Sequence, residues 1–344
     1  SAGRVQSSTL KIVVDREKEI QAFKAEEFWS IDALFNKNIE ASLVTFKGEK
    51  IEKMTITNAK SAHAIHAQLS KETFHVGLIE KKERESAPSP AFMTSTLQQS
   101  ASSTLGYSPK KTMMLAQTLY EGVKTHQGVM GVITYMRTDS LNISKEAIDA
   151  AREQIKKEYG TAYLPEKPRF YTNKSKGAQE AHEAIRPTIL EFTPAIAKEF
   201  LKPDELKLYA LIYNRFLASQ MNNARFESQT LVFESDSGKF KASGRKLLFD
   251  GFYKVYGDND KDKLLPDLAL GQEVKLSKID ANQHFTEPPS RYSEASLIKK
   301  LESLGIGRPS TYAPTISVLT ARDYITIEKK QLIPTEIAFS VTEL

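Results

Sequence analysis

The order of structural signals along the chain constrains its fold more than any single motif. Read by periodicity, the chain runs helix, strands, helical block, strands, helix, roughly mirrored about its middle. Residues 7–23 read as an amphipathic helix, with Leu10, Val13, Val14 and Ile20 on one face and the charged run Asp15–Glu19 on the other. Phe28–Phe35, Ala41–Lys47 and Thr73–Glu80 read as strands, with a short helix Ala59–Leu69 between the last two. The charge run Glu80–Glu85 reads as an exposed strand end, and Ser86-Ala87-Pro88-Ser89-Pro90 as a linker or hinge. Helices are predicted at 94–105, 110–122, 144–159, 178–185 and 203–221. Strands return at Ser228–Glu234, Phe240–Ser243, Lys246–Tyr256 and Glu273–Asp280, and residues 291–344 read as helical again after Pro288-Pro289. Nesting is the simplest solution: one helical domain (94–223) inserted into a β-rich arch (27–93 and 224–290), itself inserted into a second helical domain (1–26 and 291–344). Such a layout predicts paired chain crossings near 24–28 with 288–291, and near 90–93 with 222–226.

Length supports several domains, because 344 residues exceed one ordinary core. The absence of cysteine excludes disulfides and thiolate metal sites, and fits a reducing compartment. A net charge of +5 is compatible with a nucleic-acid partner but does not require one. No apolar run approaches the roughly 20 residues that span a bilayer; the nearest, Leu206–Met221, is interrupted by Lys207, Asn214 and Arg215. The first residues, Ser1-Ala2-Gly3-Arg4, and the last, Ser340-Val341-Thr342-Glu343-Leu344, read as cuts through a longer protein.

The chemistry concentrates in Gly131-Val132-Ile133-Thr134-Tyr135-Met136-Arg137-Thr138-Asp139-Ser140. Its apolar start reads as a short buried strand whose end presents Tyr135 at a strand-to-helix junction, with Asp139 or Ser140 capping a helix that begins near Ser144. A phenol is protonated at neutral pH, so a nucleophilic tyrosine needs a nearby cation and a base. Arg137 is the local cation, and its planar fork can also grip a phosphate. A phosphotyrosine ester conserves the energy of the broken bond, so resealing needs no nucleotide; the chain contains no Gly-x-x-x-x-Gly-Lys-Ser/Thr loop. Most of the 13 tyrosines have an ordinary packing role to fill, and only the residues around Tyr135 set it apart.

Three further clusters share that chemistry. In Gln179–Thr188, His182 and Arg186 fall four apart, on one face if the segment is helical, where they suit a phosphate better than a metal. Gly3-Arg4-Val5-Gln6-Ser7 opens the first helix with donors suited to a DNA phosphate. Arg291-Tyr292-Ser293 and Gly305-Ile306-Gly307-Arg308-Pro309-Ser310-Thr311-Tyr312 each put an arginine and hydroxyls near a helix start; the glycines suit close backbone approach, and either tyrosine could stack on a base or pack between helices. His63, His66 and His75 show no partner pattern, and Trp29 reads as core.

Taken together, Ser1–Ser7, Thr94–Gln99, Thr134–Ser140, Gln179–Thr188, Leu217–Met221, Phe285–Arg291 and Gly305–Tyr312 resemble, in order and from end to end, the type IA DNA topoisomerase family. The resemblance implies a multidomain α+β toroidal core in which a β-rich arch lifts the tyrosine-bearing domain to open a gate. It implies catalytic roles for Tyr135, which leaves a 5′-phosphotyrosine, for Arg137 on the scissile phosphate and for His182 beside it. By the same resemblance Arg4, Gln6, Thr138, Asp139, Arg186, Arg291, Ser293, Arg308 and Ser310 contact single-stranded DNA. The family's Toprim domain, which carries the Mg²⁺ carboxylates and a lysine acid, would precede Ser1, and the zinc repeats of many members are absent as well. The expectation is therefore a monomer without a metal site of its own, acting on single-stranded and negatively supercoiled DNA in the bacterial cytoplasm and nucleoid, away from membranes. This chain alone is expected to bind a single strand with little or no cleavage.

Two other readings compete. A tyrosine recombinase or type IB enzyme would place its tyrosine near the C-terminus and leave a 3′ ester, and the strand-rich arch would have no role in it. A single-strand clamp would keep the motif without the chemistry.

Overall fold

The structure, a computed structural model, describes residues 2–172, 182–257 and 262–343. Helix α1 (Ala2–Ala22) leads into β1 (Glu27–Phe35), β2 (Ile39–Phe46), the short β3 (Glu49–Lys50), α2 (Ala59–Ser70) and β4 (Phe74–Ser86). Next come α3 (Thr94–Ser100), a π-helical turn Ala101–Leu105, α4 (Pro109–Glu121), a small hairpin of β5 (Val123–Thr125) and β6 (Gly128–Met130), α5 (Lys145–Tyr159), α6 (Pro194–Ala197) and α7 (Pro203–Ser219). The chain then returns through β7 (Ala224–Glu234), β8 (Gly238–Phe249), α8 (Tyr253–Tyr256), β9 (Glu273–Val274) and β10 (Leu276–Phe285). It ends with α9 (Glu294–Ser303), α10 (Tyr312–Ala321), the hairpin β11 (Ile325–Glu328) and β12 (Gln331–Pro334), and α11 (Glu336–Thr342).

The long strands form one antiparallel sheet in the order β10-β1-β2-β8-β7-β4-β9, with β3 on β2. Its pairings tie distant sequence together. Glu27 sits opposite Phe285, and backbone and side-chain bonds join Glu26 to Thr286 just outside that pair. Ser86 sits opposite Ala224. The chain therefore enters and leaves the sheet twice at neighbouring points. β1 alternates inward residues in register with its pleat, Trp29, Ile31, Ala33 and Phe35. Phe35 meets Phe74, Phe233 and Phe240 at ring separations of 4.6–5.5 Å.

Buried side chains fall into three clusters. One joins Leu10, Val13 and Val14 of α1 to Leu297, Ile298, Leu301, Ile316 and Leu319 near the other end of the chain. The second fills one face of the sheet beneath α2. The third packs α3, α4, α5 and α7 around Phe192, Tyr209, Ile212 and Phe216. The apolar spacing of α7 explains its place there: Leu208, Ile212 and Phe216 recur every four residues and are buried.

Several expectations need correction. The predicted strand Lys246–Tyr256 ends at Phe249, because Gly251 adopts φ +51 against the Asn222–Asn223 backbone and the chain turns into α8. Residues 291–344 are not all helical; β11 and β12 pair through Lys329 and Lys330, both at left-handed φ (49 and 66). That turn geometry ordinarily calls for Asn or Gly, so the sequence carries no turn signal there. The stretch Ser86–Pro90 is tied down rather than loose: Arg215 donates to the Pro90 carbonyl at 2.6 Å while lying over Phe92, and Tyr171 donates to the Pro88 carbonyl. Of the predicted helix 178–185, residues 178–181 lie outside the described residues; 182–185 are not helical, and Ile185 bridges to Phe92.

Candidate nucleic-acid cleavage site

The segment around Tyr135 is extended but forms only one isolated bridge, Ile133 to Pro187, in place of the expected strand. Its backbone is held from two sides. Val132 donates to the Leu119 carbonyl at the end of α4, and Thr134 donates to Arg186, while Thr188 donates back to Val132. The Thr134 hydroxyl donates to the Ala184 carbonyl and accepts from the Arg186 N–H. Gly131 allows this close approach: a Cβ there would collide with the Tyr120 carbonyl oxygen. Val132, Ile133 and Met136 are buried and anchor the run.

Between those anchors, Tyr135 points outward, 43% exposed, with its ring edge-on to Tyr120 at 5.2 Å. Two residues on, Arg137 donates to the neutral carboxamide of Gln117 at 3.2 Å and lines a cavity shared with Ser310. An arginine held by a neutral acceptor keeps its full charge for a phosphate. The following residues serve the fold. Thr138 is buried; its hydroxyl accepts from Ser140 N–H, and its backbone exchanges bonds with Thr94, whose hydroxyl also donates to Met136. Thr138 is thus closed to a DNA strand here, which corrects its expected contact role. Ser140 is buried too, and the cap of α5 is Ser144, whose hydroxyl accepts from Ala147 N–H.

The site lies where two of the buried clusters meet. α3 packs on α9 and α4 on α10. The Ser95 hydroxyl donates to the Glu302 carboxylate across that junction. Burial raises the pKa of Glu302, and the Asp139 carboxylate nearby adds to the rise. Burial likewise pushes the Tyr312 hydroxyl up to about 12. The structure therefore gathers Tyr135, Arg137, Asp139 and Ser310 at one interface.

The other expected residues have different situations. His182 is exposed, two residues before the Ala184 carbonyl that holds Thr134. Arg186 is gripped by Glu183 in a two-pronged pair at 2.6 and 2.8 Å. Burial would raise the pKa of Glu183, but Arg186 outweighs it and holds the carboxyl below its ordinary range. Arg291 makes the same kind of pair with the buried Glu17 of α1, at 3.0 and 2.8 Å. Arg291 thereby ties α1 to the segment before α9, a role invisible to motif spacing, whereas the partner of Arg186 lies only three residues back in its own motif. Arg4 and Gln6 lie in the first turns of α1, and Arg4 is exposed. Ser293 caps α9, accepting from Ser296 N–H. Arg308 is exposed, and the flanking Gly305 and Gly307 adopt φ +69 and +82, so these glycines serve the turn. Tyr292 and Tyr312 are buried, the former under Arg16 at 4.2 Å, so both pack between helices and neither is open to a base. Sequence reading missed Tyr120, Gln117 and Glu302; only an α4 stripe carrying Tyr120 and Gln117 three apart could have hinted at the first two. Among the described residues, no group of three or more His, Cys, Asp or Glu could hold a metal ion. No helix among them is long and apolar enough to cross a membrane.

Comparison with known proteins identifies the class. The family model described as DNA topoisomerase matches residues 1–344, and the chain belongs to that family, in its bacterial type IA branch. It is 64% identical over 344 residues to DNA topoisomerase 1 of Campylobacter jejuni, covering all of this chain and 49% of that protein. It is 61% identical to the Helicobacter pylori J99 protein of the same name, covering 47% of it. The full-length topoisomerase I from Thermotoga maritima superposes with a TM-score of 0.86 at 39% identity, covering all of this chain and 55% of that one. The fold is thus the mixed α+β type IA core. The chain spans about half the length of the curated relatives it matches.

Proposed function

We propose that this chain is the DNA-gripping and nucleophile-bearing part of a type IA DNA topoisomerase. The observation that carries the reading is the exposed Tyr135 ring held on a doubly anchored segment, two residues from an arginine with a neutral partner. The Tyr135 hydroxyl gives up its proton to water or a base, and its oxygen attacks the phosphorus of a backbone phosphodiester in one DNA strand. The bond to the 3′ oxygen breaks, that oxygen takes up a proton, and a 5′-phosphotyrosine remains. Arg137 offsets charge on the phosphate as it becomes five-coordinate. Return of the 3′ hydroxyl reverses each step, so resealing needs no nucleotide. Passage of a second strand through the gap changes linkage and relaxes negative supercoils.

Support for a single strand as the substrate comes from the exposed Arg4 and Arg308, which suit phosphate tracking at helix starts. The acid that protonates the 3′ oxygen and the Mg²⁺ that organises the phosphates would come from the rest of the relatives' length, of which this chain spans about half. The protein works as a monomer in the bacterial cytoplasm, on the nucleoid.

The test is a covalent-adduct gel. The chain is mixed with a labelled single-stranded oligonucleotide and Mg²⁺, with and without the N-terminal segment of a relative that precedes the region matched by this chain, beside a Tyr135→Phe control. An adduct that needs the added segment and vanishes with Tyr135→Phe is expected. An adduct that survives in Tyr135→Phe overturns the assignment. An adduct from the wild-type chain alone overturns the division of acid and metal from nucleophile.

A further inference from the structure

A cavity of about 530 Å³ opens between α4 and the start of α10, beside Arg137. Its walls are apolar, with Met113 and Met114 from one helix facing Pro309, Ala313 and Pro314 from the other. Lys110 and Arg137 supply two cations, Gln117 and Ser310 supply hydrogen-bonding groups, and no carboxylate is among its lining residues. An apolar slot with a cationic rim and a few polar groups suits a flat heterocycle carried on a phosphate.

Its place along α4 says which one. Tyr120 touches Tyr135, Gln117 accepts from Arg137, and Met113 and Lys110 follow in the cavity. These four positions are spaced three, four and three residues apart and form one stripe of the helix. At 1.5 Å per residue the stripe runs roughly 15 Å from nucleophile to cavity end. A phosphate on Tyr135 and Arg137 would leave its own nucleoside to continue along that stripe.

Resting on the reading that Tyr135 takes a DNA phosphate, we propose that the cavity receives the base of the nucleotide whose 5′ phosphate Tyr135 carries. The base lies between the thioethers of Met113 and Met114 and the Pro309 and Ala313 side, where polarisable sulfur packs well on π-faces. The two walls belong to α4 and to the α9–α10 end of the chain, so a seated base holds the two together. The strand end linked to Tyr135 is kept in place for resealing.

The experiment needs no cleavage. The chain, with its seven methionines labelled at the methyl carbon, is titrated with a 5′-phosphorylated pentanucleotide and with the same molecule lacking its first base. The Met113 and Met114 methyl resonances are expected to shift with the intact molecule and to stay put with the abasic one. Met114 is largely exposed, so Met114→Trp fills the slot without touching the core. That variant is expected to bind the intact pentanucleotide about tenfold more weakly and the abasic one as before, the size of one lost base-stacking contact. Equal shifts with both probes, no shift with either, or unchanged intact binding in Met114→Trp overturns the proposal. Adduct formation with a flat titration would sink the base pocket alone. Base-dependent shifts, with no adduct even when the relative's N-terminal segment is supplied, would sink the nucleophile alone.

Discussion

The arch sheet and the tyrosine segment are both extended chain, yet they are held by opposite means. In β1 every second side chain enters a continuous core, and the ladder supplies the backbone bonds from strands on both sides. The Tyr135 segment has no ladder. Its backbone bonds run to the end of α4, to Thr94 and to residues 184–188, and three buried side chains pin it while Tyr135 projects free. A sheet averages its strength over many equal contacts. The tyrosine segment depends on a few unequal ones, which fix a backbone while leaving one side chain open for chemistry.

Substitutions can separate the two modes. The largest stability effect belongs to the arch. Phe35→Ala empties the centre of a cluster of four phenylalanines and is expected to cost about 4 kcal/mol. Urea denaturation measures that loss, and the adduct yield per folded molecule should not change. Gly131→Ala should do the reverse. Forcing a Cβ against the Tyr120 carbonyl is expected to cost about 2 kcal/mol in the same denaturation experiment. It also shifts the anchored segment, so the adduct yield should fall far more than the stability. If Gly131→Ala leaves adduct yield intact, the close approach to α4 is not what positions Tyr135.

The smallest effect is a pH dependence confined to the arch. Burial tends to raise the Glu72 pKa, but hydrogen bonds from Ser235, Ser237 and Gln68, with the Ser237 N–H, bring it down to about 2. The folded value lies below the ordinary 4.5, so this contribution is present above pH 4.5 and lost as pH falls from there toward 2. Glu72 is well solvated, so its worth is under about 1 kcal/mol. Glu72→Gln should flatten the acid limb of the urea midpoint by that amount and leave Tyr135 chemistry alone.

Local signals made much of the fold legible. The period of β1 marked its inward residues, and local pattern marked α4 and α5 to within a residue or two, though the cap of α5 is Ser144 and not Asp139 or Ser140. Elements made by unusual backbone were not legible: the Lys329-Lys330 turn of the last hairpin, or Gly251 ending β8. Within the site, the identity of Tyr135 and Arg137 stood out because ten neighbouring residues carry one pattern. The fates of Arg291 and Thr138 did not. An arginine motif looks the same whether its charge faces a phosphate or a carboxylate, and Glu17 lies 274 residues from Arg291.

Sequence by itself determined most of the longer helices and strands, and which tyrosine stands beside an arginine, since these follow from periodicity and neighbours within one or two turns. Tertiary structure alone decided which polar groups remain available. It spent Arg291 on the buried Glu17 carboxylate and closed Thr138 inside the fold. It left Arg137 on a neutral amide beside an apolar cavity. The physical reason is that a charge is satisfied by whatever lies within a few ångströms, and that neighbourhood is set by packing between segments far apart in the chain.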